Sequence, residues 1–307
     1  MYTFIINPNS RSGQGNYIWK EIELIIKKKA IKYNALFTKY QGHATTLVEQ
    51  LVSDNHLHTI IVLGGDGTIN EVVNGIDDYS KVILGYIPIG SSNDFARGLG
   101  LPFKYMEALE TILSAKHFQT IDIGVLRYFD HKKRNFAVST GIGFDAAICH
   151  QAMVSKLKII LNHLKLGKLT YAGIAFNQLA ISKPKKMTLV LDGYQTYHFE
   201  AAYFATVMNT PYEGGGFKFC PEANPSDGLL NVIVVDSISK AKALSLLPFA
   251  ISGNHVSFKG VHTYTCKTAE IQSEKALPVH TDGEPVFLQR TISATIASSK
   301  LRIITTK

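Results

Sequence analysis

The stretch "TIIVLGGDGTINEVVNG", Thr59 to Gly75, constrains the chain more than any other. Thr59 to Leu63 is a continuous apolar run, as expected of a strand buried on both faces. Glycines follow it, and then Ile69, Val72, Val73 and Ile76 recur at helical spacing. A strand, a tight loop and an amphipathic helix in that order make half of a βαβ unit, which demands a parallel sheet covered by helices. The neighbouring sequence repeats the pattern. Tyr2 to Ile6 reads as a strand before Ile18, Ile22, Ile25 and Ile26, a helix with Lys27, Lys28 and Lys29 at its electronegative end. Asn34 to Thr38 precedes Ala44, Leu47, Val48, Leu51 and Val52; "VILGYIPIG" precedes a helix over Met106 to Ala115.

After about Thr120 the runs are mostly β-rich, from "IDIGVLRYF" to "TISATIA", broken by helical inserts over about Ala146 to Ala180 and Lys240 to Ile251. The sequence therefore predicts an α/β, doubly wound domain over 1–120 and a mostly antiparallel domain over 121–307. A closing strand near the C-terminus could return to the first domain. At 307 residues with 46% hydrophobic content, the chain can bury a core in each. Its net charge of +8 favours an anionic partner. Cys149, Cys220 and Cys266 are odd in number and form no CxxC pair, which predicts reduced thiols. The first residues lack a signal-peptide pattern, and no apolar run approaches the roughly 20 residues that span a bilayer, so the expectation is a cytoplasmic protein.

Ligands of parallel sheets sit beyond the C-terminal ends of the strands, and three polar, glycine-bearing loops fall there. In "GGDGTINE", Thr68 and Glu71 match a capping box, which predicts a helix start at Thr68 with the amides of Ile69 and Asn70 turned outward. Gly64, Gly65 and Gly67 let a phosphate approach the backbone, and Asp66 requires a metal, a proton or a hydroxyl beside it. "IPIGSSNDFARGLGLP" supplies Ser91, Ser92, Asn93 and Asp94, the last two able to bind a ligand or to cap a helix. "INPNSRSGQGN" supplies Asn7, Ser10, Arg11 and Ser12. None matches the P-loop or the dinucleotide fingerprint. Asp282 and Glu284 in "HTDGEPVFL" are two residues apart, which in an extended strand puts both carboxylates on one side; an ordinary D-G hairpin turn is the alternative.

Taken together, "NPNSRSGQG", "GGDGTINEVVNGI", "PIGSSNDFARGLGLP", "GIGFDA" and "TDGEP" resemble the diacylglycerol-kinase catalytic-domain family, in particular its soluble bacterial lipid kinases. The resemblance implies an α/β nucleotide domain, a β-sandwich-like second domain and an active site in the cleft between them. It implies that Gly64, Gly65, Asp66, Gly67, Thr68, Ile69 and Asn70 bind the phosphates of ATP, with Asn7, Ser10, Thr38, Ser91, Asn93 and Asp94 around the nucleotide. Ser91 stands where the family has threonine. By the same resemblance Asp66 and Asp94 lie near the transferred phosphoryl group and its Mg²⁺, Glu284 is the general base and Asp282 its neighbour. In "PEANPSDGLLNV", Asp227 and the carbonyl of Leu229 would hold a structural Mg²⁺, with Asn224 in place of an acid.

The implied acceptor is a neutral lipid, diacylglycerol or a relative, met at a membrane surface to which the protein binds peripherally. The insert "VSKLKIILNHLKLGKLTYAGIAF" mixes lysines with leucines and could lie on an acidic bilayer or pack on its own domain. "YEGGGFKF" reads as a mobile loop or a wide turn. Basic residues are not interleaved with aromatics, so nucleic acid is not an expected partner; a homodimer is open. An NAD kinase-like soluble-alcohol kinase and a catalytically inactive nucleotide- or lipid-binding regulator are the competing readings.

Overall fold

A computed structural model describes residues 1–54, 56–129, 131–154, 177, 179 and 181–306. The basic amphipathic insert from residue 155 to 176 lies outside the described residues. The chain divides into two compact units, Met1–Ile123 with Ala297–Lys307, and Gly124–Ile296.

The first unit is built on strands β1 (Tyr2–Ile6), β2 (Tyr33–Phe37), β3 (His58–Gly64), β4 (Val82–Pro88), β5 (His117–Ile121) and, from the C-terminus, β15 (Leu301–Thr305). They form one sheet in the order β2-β1-β3-β4-β15-β5, parallel except for the β15–β5 pair. The return of β15 is fixed at its entry, where the Ala297 amide donates to the Ile123 carbonyl at 2.8 Å and Lys300 pairs with the fully buried Asp122 at 2.9 Å. Besides a one-turn helix, α1 (Ser10–Gly13), the helices are α2 (Gly15–Lys28), α3 (His43–Leu51), α4 (Asp66–Asn74), α5 (Asp94–Gly98) and α6 (Tyr105–Ser114). The 3.6-residue spacing of Ile18, Ile22 and Ile26 gives α2 one buried stripe. Trp19 on that stripe packs 5.0 Å from Phe4, ring to ring, as a core residue.

Helix α4 starts at Asp66, not Thr68, and its N-cap Gly65 makes no side-chain cap bond. The capping box does not form because Glu71 has a tertiary partner: its carboxylate accepts from the Ala44 amide at 3.1 Å, and its carbonyl accepts from the Thr45 hydroxyl at 2.9 Å. The Thr68 and Ile69 amides both donate to the Gly65 carbonyl, so they do not point outward. The amides at the head of the helix are those of Asp66 and Gly67.

The second unit contains β6 (Gly124–Tyr128), β7 (Lys132–Phe136), β8 (Ser139–Gly143), α7 (Phe144–Val154), β9 (Lys185–Leu191), β10 (Gln195–Met208), β11 (Leu230–Asp236), α8 (Lys240–Ser252), β12 (Val261–Cys266), β13 (Ala269–Thr281) and β14 (Glu284–Ile296). Its strands run in the order β12-β11-β10-β8-β13-β14-β6-β7, with β9 also pairing β10 and β13, and every pair is antiparallel. Alternation turns Leu126, Ile142, Leu189, Val207, Val232, Ile271, Val279 and Ile292 into one core. The "YEGGGFKF" glycines form a narrow turn: Glu213 and Phe217 exchange both backbone hydrogen bonds. Among the described residues the cysteines are unbridged, and burial pushes the Cys266 thiol up to about 12.

The contact of α3 with α4 sets the direction of the helix behind the second glycine loop. A Cβ on Gly75 would stand 2.6 Å from the Thr45 carbonyl oxygen, a backbone atom that cannot swing aside. Gly75→Ala is expected to destabilise the protein by about 1–3 kcal/mol, as overpacking does, read as a lowered melting temperature with the β-sheet circular-dichroism signal retained below it.

Candidate active site

Strand order 2-1-3-4 makes β1 and β3 a switch point: the chain leaves β1 towards one edge of the sheet and leaves β3 towards the other. The diverging loops open a crevice at the C-terminal ends of these strands. Asn7, one residue past β1, spans it: its amide N–H donates to the Leu63 carbonyl at 2.9 Å and its side-chain nitrogen to the Thr68 hydroxyl at 3.1 Å. Thr38, just past β2, is buried and donates its amide to the Ile6 carbonyl at 2.8 Å. Ser10 opens α1, whose Arg11 and Ser12 hold positive φ angles of 54° and 57°.

The loops after β3 and β4 touch backbone to backbone. A Cβ on Gly90 would fall 2.7 Å from the Cα of Gly65, so only glycine permits this approach. Asn93 holds the Gly90 turn from both sides, its side-chain oxygen accepting from the Gly90 amide at 2.9 Å and its nitrogen donating to the Gly90 carbonyl at 3.0 Å. It makes no side-chain cap bond to α5. Asp66 accepts from the Phe95 amide at 3.2 Å, which ties the head of α4 to the head of α5 and satisfies a first-turn donor there. Asp94 is buried, with the Arg97 guanidinium 3.8 Å away. Burial, and then the carboxylates of Asp66 and Asp94, hold the Tyr86 phenol well above its ordinary value, so it remains a neutral donor beneath both loops. Ser91 is exposed at the tip, Gly65, Asp66 and Gly67 are half-buried, and Ile69 and Asn70 are buried behind them. The first unit thus gathers one edge of backbone amides, hydroxyls and two carboxylates. Carboxylates are hard oxygen donors that suit Mg²⁺, and Asp66 and Asp94 are the residues of this edge that would hold it.

In the second unit, Asp282 and Gly283 have φ of 49° and 79°, the pair of left-handed residues of a two-residue hairpin turn joining β13 to β14. Asp282 is therefore not extended, as a shared side with Glu284 along a strand would require. It accepts from the amides of Ala137 at 2.9 Å, Val138 at 2.8 Å and Ser139 at 3.0 Å, which clamps the turn onto the start of β8. Glu284 is the first residue of β14, half-buried and paired with Thr281.

Beneath the turn lies a buried cluster that no local pattern announces. His280 is fully buried, with its Nε2 at 3.2 Å from Asp145 and 3.2 Å from Glu213; the Thr206 hydroxyl also donates to Asp145. The Gly283 amide donates to His280 Nδ1 at 3.2 Å. Asp145 belongs to "GIGFDA" and His280 directly precedes "TDGEP", but their contact depends on the β8–β13 pairing. Tyr86, the polar tip in the "VILGYIPIG" strand, was equally hidden.

The "PEANPSDGLLNV" segment does not form a cation cage. Asn224 accepts from the Ser226 amide at 3.1 Å and Asp227 from the Leu229 amide at 2.9 Å, two successive Asx turns with both side chains exposed. With one carboxylate and one amide oxygen, both turned to backbone, Asn224, Asp227 and Leu229 do not fit a structural Mg²⁺, and no step is assigned to one.

Burial disfavours charge on His280, but Glu213 and then Asp145 outweigh it and lift its pKa to about 9. The charged ring has no lone pair for the Gly283 amide, so the ion pair and the latch to the turn compete. A folded pKa above the unfolded value of about 6.5 contributes stability that is complete below that value and is lost as pH rises through about 9. His280→Asn should therefore lower the melting temperature more at about pH 6 than at about pH 9.5; an equal loss at both would show that the ring is neutral throughout.

Residues 1–126 match the family model described as diacylglycerol kinase catalytic domain, and residues 138–305 match the C-terminal NAD kinase beta sandwich-like domain named for YegS. Among curated proteins, the chain is 32% identical to a Bacillus subtilis protein named "Putative lipid kinase YtlR", covering 92% of each chain. It is 30% identical to a diacylglycerol kinase of Staphylococcus aureus, covering 91% of this chain and 84% of the relative. A crystal structure of a diacylglycerol kinase from Bacillus anthracis superposes with a TM-score of 0.70 at 22% identity, covering 99% of this chain and 96% of that one. An NAD kinase from Archaeoglobus fulgidus, in complex with ATP, shares the fold at a TM-score of 0.57 and 14% identity, covering 100% of this chain and 94% of that one. The chain belongs to the diacylglycerol kinase catalytic-domain family.

Proposed function

We propose that this protein is an ATP-dependent lipid kinase that phosphorylates the hydroxyl of diacylglycerol or a related neutral lipid. The observation that carries the reading is the edge of the first unit where Asn7, Gly64 to Thr68 and Gly90 to Asp94 meet at the β1–β3 switch point. Such an edge suits a chain of phosphates, because backbone amides at helix starts attract negative charge. Gly65 and Gly67 give the phosphates access to that backbone. Asp66 and Asp94 would hold Mg²⁺, which supplies neutralisation of the charge on the β- and γ-phosphates when bound.

Phosphoryl transfer asks the protein mainly for positioning, plus one group that takes the proton of the attacking hydroxyl. Glu284 is assigned that proton: the lipid oxygen bonds to the γ-phosphorus, ADP departs, and the hydrogen moves to the Glu284 carboxylate. Asp282 serves this step by clamping the turn, through the amides of Ala137, Val138 and Ser139, rather than by touching the reactants. The lipid acceptor is favoured over a soluble alcohol by the relatives named as lipid and diacylglycerol kinases.

The test is transfer of label from γ-labelled ATP to a panel of extracted neutral lipids, with NAD as the competing acceptor. Native protein should label diacylglycerol or a relative and leave NAD unlabelled. Glu284→Gln should lower transfer by at least about 10²-fold, the scale of general-base catalysis, while nucleotide binding measured by calorimetry stays within about twofold. Labelling of NAD alone would sink the lipid assignment, and nucleotide binding without any transfer would point to a regulator.

A further inference from the structure

Strand β14 carries, just beyond Glu284, side chains that a folded domain has no internal use for. Phe287 is 78% exposed and Leu288 60% exposed, and Phe129 at the end of β6 is 73% exposed. A register shift between Leu277 and Val279 bulges the β13–β14 pairing, so two consecutive residues of β14 face solvent where alternation would have turned one inward. Their backbones are tied together through one residue. Gln289, itself buried, accepts from the Phe129 amide at 3.3 Å and donates to the Phe287 carbonyl at 3.3 Å, so one side chain ties both backbones together.

Cations surround them. Leu126 and Tyr128 pack on the core, so Arg127 and the following Phe129 lie on the opposite face of β6. Arg127 pairs across to Lys133, which puts both on the Phe129 face, and both are exposed. Arg134 donates to the Pro285 carbonyl at 3.3 Å, which holds the β7 side of the hairpin against β14.

We infer that Phe129, Phe287 and Leu288, with Arg127 and Lys133 beside them, form a docking surface for a bilayer that contains anionic lipids. Aromatic and aliphatic side chains enter the headgroup boundary, while Arg127 and Lys133 meet the negative surface potential. This occupant fits better than a second copy of the chain, whose matching patch would bring the same cations face to face in a protein of net charge +8. Position adds to the argument, and here the inference rests on the lipid-kinase reading. Phe287 is three residues from Glu284 along β14, about 10 Å at strand rise, so a docked bilayer would present lipid hydroxyls close to the base.

The experiment uses the full chain. Native protein and Phe129→Ser/Phe287→Ser/Leu288→Ser are sedimented with phosphatidylcholine vesicles, with and without about a third phosphatidylglycerol; Arg127→Glu/Lys133→Glu is the second variant. The native chain should bind the anionic vesicles and lose them as salt is raised. Each variant should bind at least about 10-fold more weakly, while label transfer to a dispersed short-chain diacylglycerol stays within about twofold of native. Native-level vesicle binding by the triple variant overturns the inference, as does a native chain that ignores anionic vesicles. A native dimer that the substitutions split, with vesicle binding intact, would reassign the surface to self-contact. Failure of the native protein to label any lipid would defeat the kinase reading alone, since sedimentation does not depend on turnover.

Discussion

The chain's departure in opposite directions from two adjacent parallel strands, β1 and β3, is the constraint from which the first unit's chemistry follows. Once these strands are neighbours, the loops behind them must separate, and polar backbone at their ends cannot be covered by either loop. The crevice is kept open by hydrogen bonds that cross it, and not by a rigid frame around it. Asn7 reaches from one side to Thr68 on the other, and Asp66 reaches on to the Phe95 amide at the head of α5. Substituting any of these side chains would release a loop as well as a potential ligand contact, so loss of nucleotide binding would not by itself prove that a residue touches nucleotide.

Asp66 illustrates how a charge on a polar edge serves the fold, whatever chemistry it is proposed to serve as well. A carboxylate beside bound phosphate is unfavourable in isolation. Here one oxygen already accepts from the first turn of α5, so the group is held at fixed distance from Asp94 and the phenol of Tyr86 before any ligand arrives. If Asp66 and Asp94 hold the proposed Mg²⁺, arranging these two hard oxygen donors in advance would remove much of the ordering cost of binding it. The second unit uses a parallel device at Asp282, where three backbone donors immobilise the turn and leave the adjacent Glu284 as the acid at the head of β14.

What the sequence disclosed was whatever depends on local order. Alternating strands and amphipathic helices announced the parallel sheet, and the polar loops fell at the correct strand ends. What it concealed depended on partners far along the chain. Thr68 and Glu71 satisfy the local rule for a capping box, yet Glu71 bonds to Ala44 from a different helix, since packing α3 on α4 leaves that amide in reach. Asp282 looked like half of a carboxylate pair because its donors, residues 137–139, are more than a hundred positions away. The contacts of His280 with Asp145 and Glu213 join segments that become neighbours only when β8 pairs β13. Residue identity at these positions was legible; residue role was not.

The bulge in β14 bears on the same distinction between local pattern and tertiary role. Strict alternation over Val286, Phe287 and Leu288 would place one large side chain out and bury its neighbours, with no consequence beyond packing. The register shift breaks that alternation and leaves Phe287 and Leu288 both in solvent, a costly arrangement for apolar surface unless something covers it. Gln289 shows that the exposure is not slack in the strand, because its buried amide fixes the backbone on both sides of the patch. A backbone held by Gln289 suits an interface that must be met repeatedly and released, since less backbone entropy is lost at each encounter. On the proposed lipid-kinase reading, an acceptor that resides in a bilayer would demand such an interface. On that reading the clamp at Asp282 and the bulge at Phe287 would be two parts of one strand end, one holding an acid and the other bringing it to a surface.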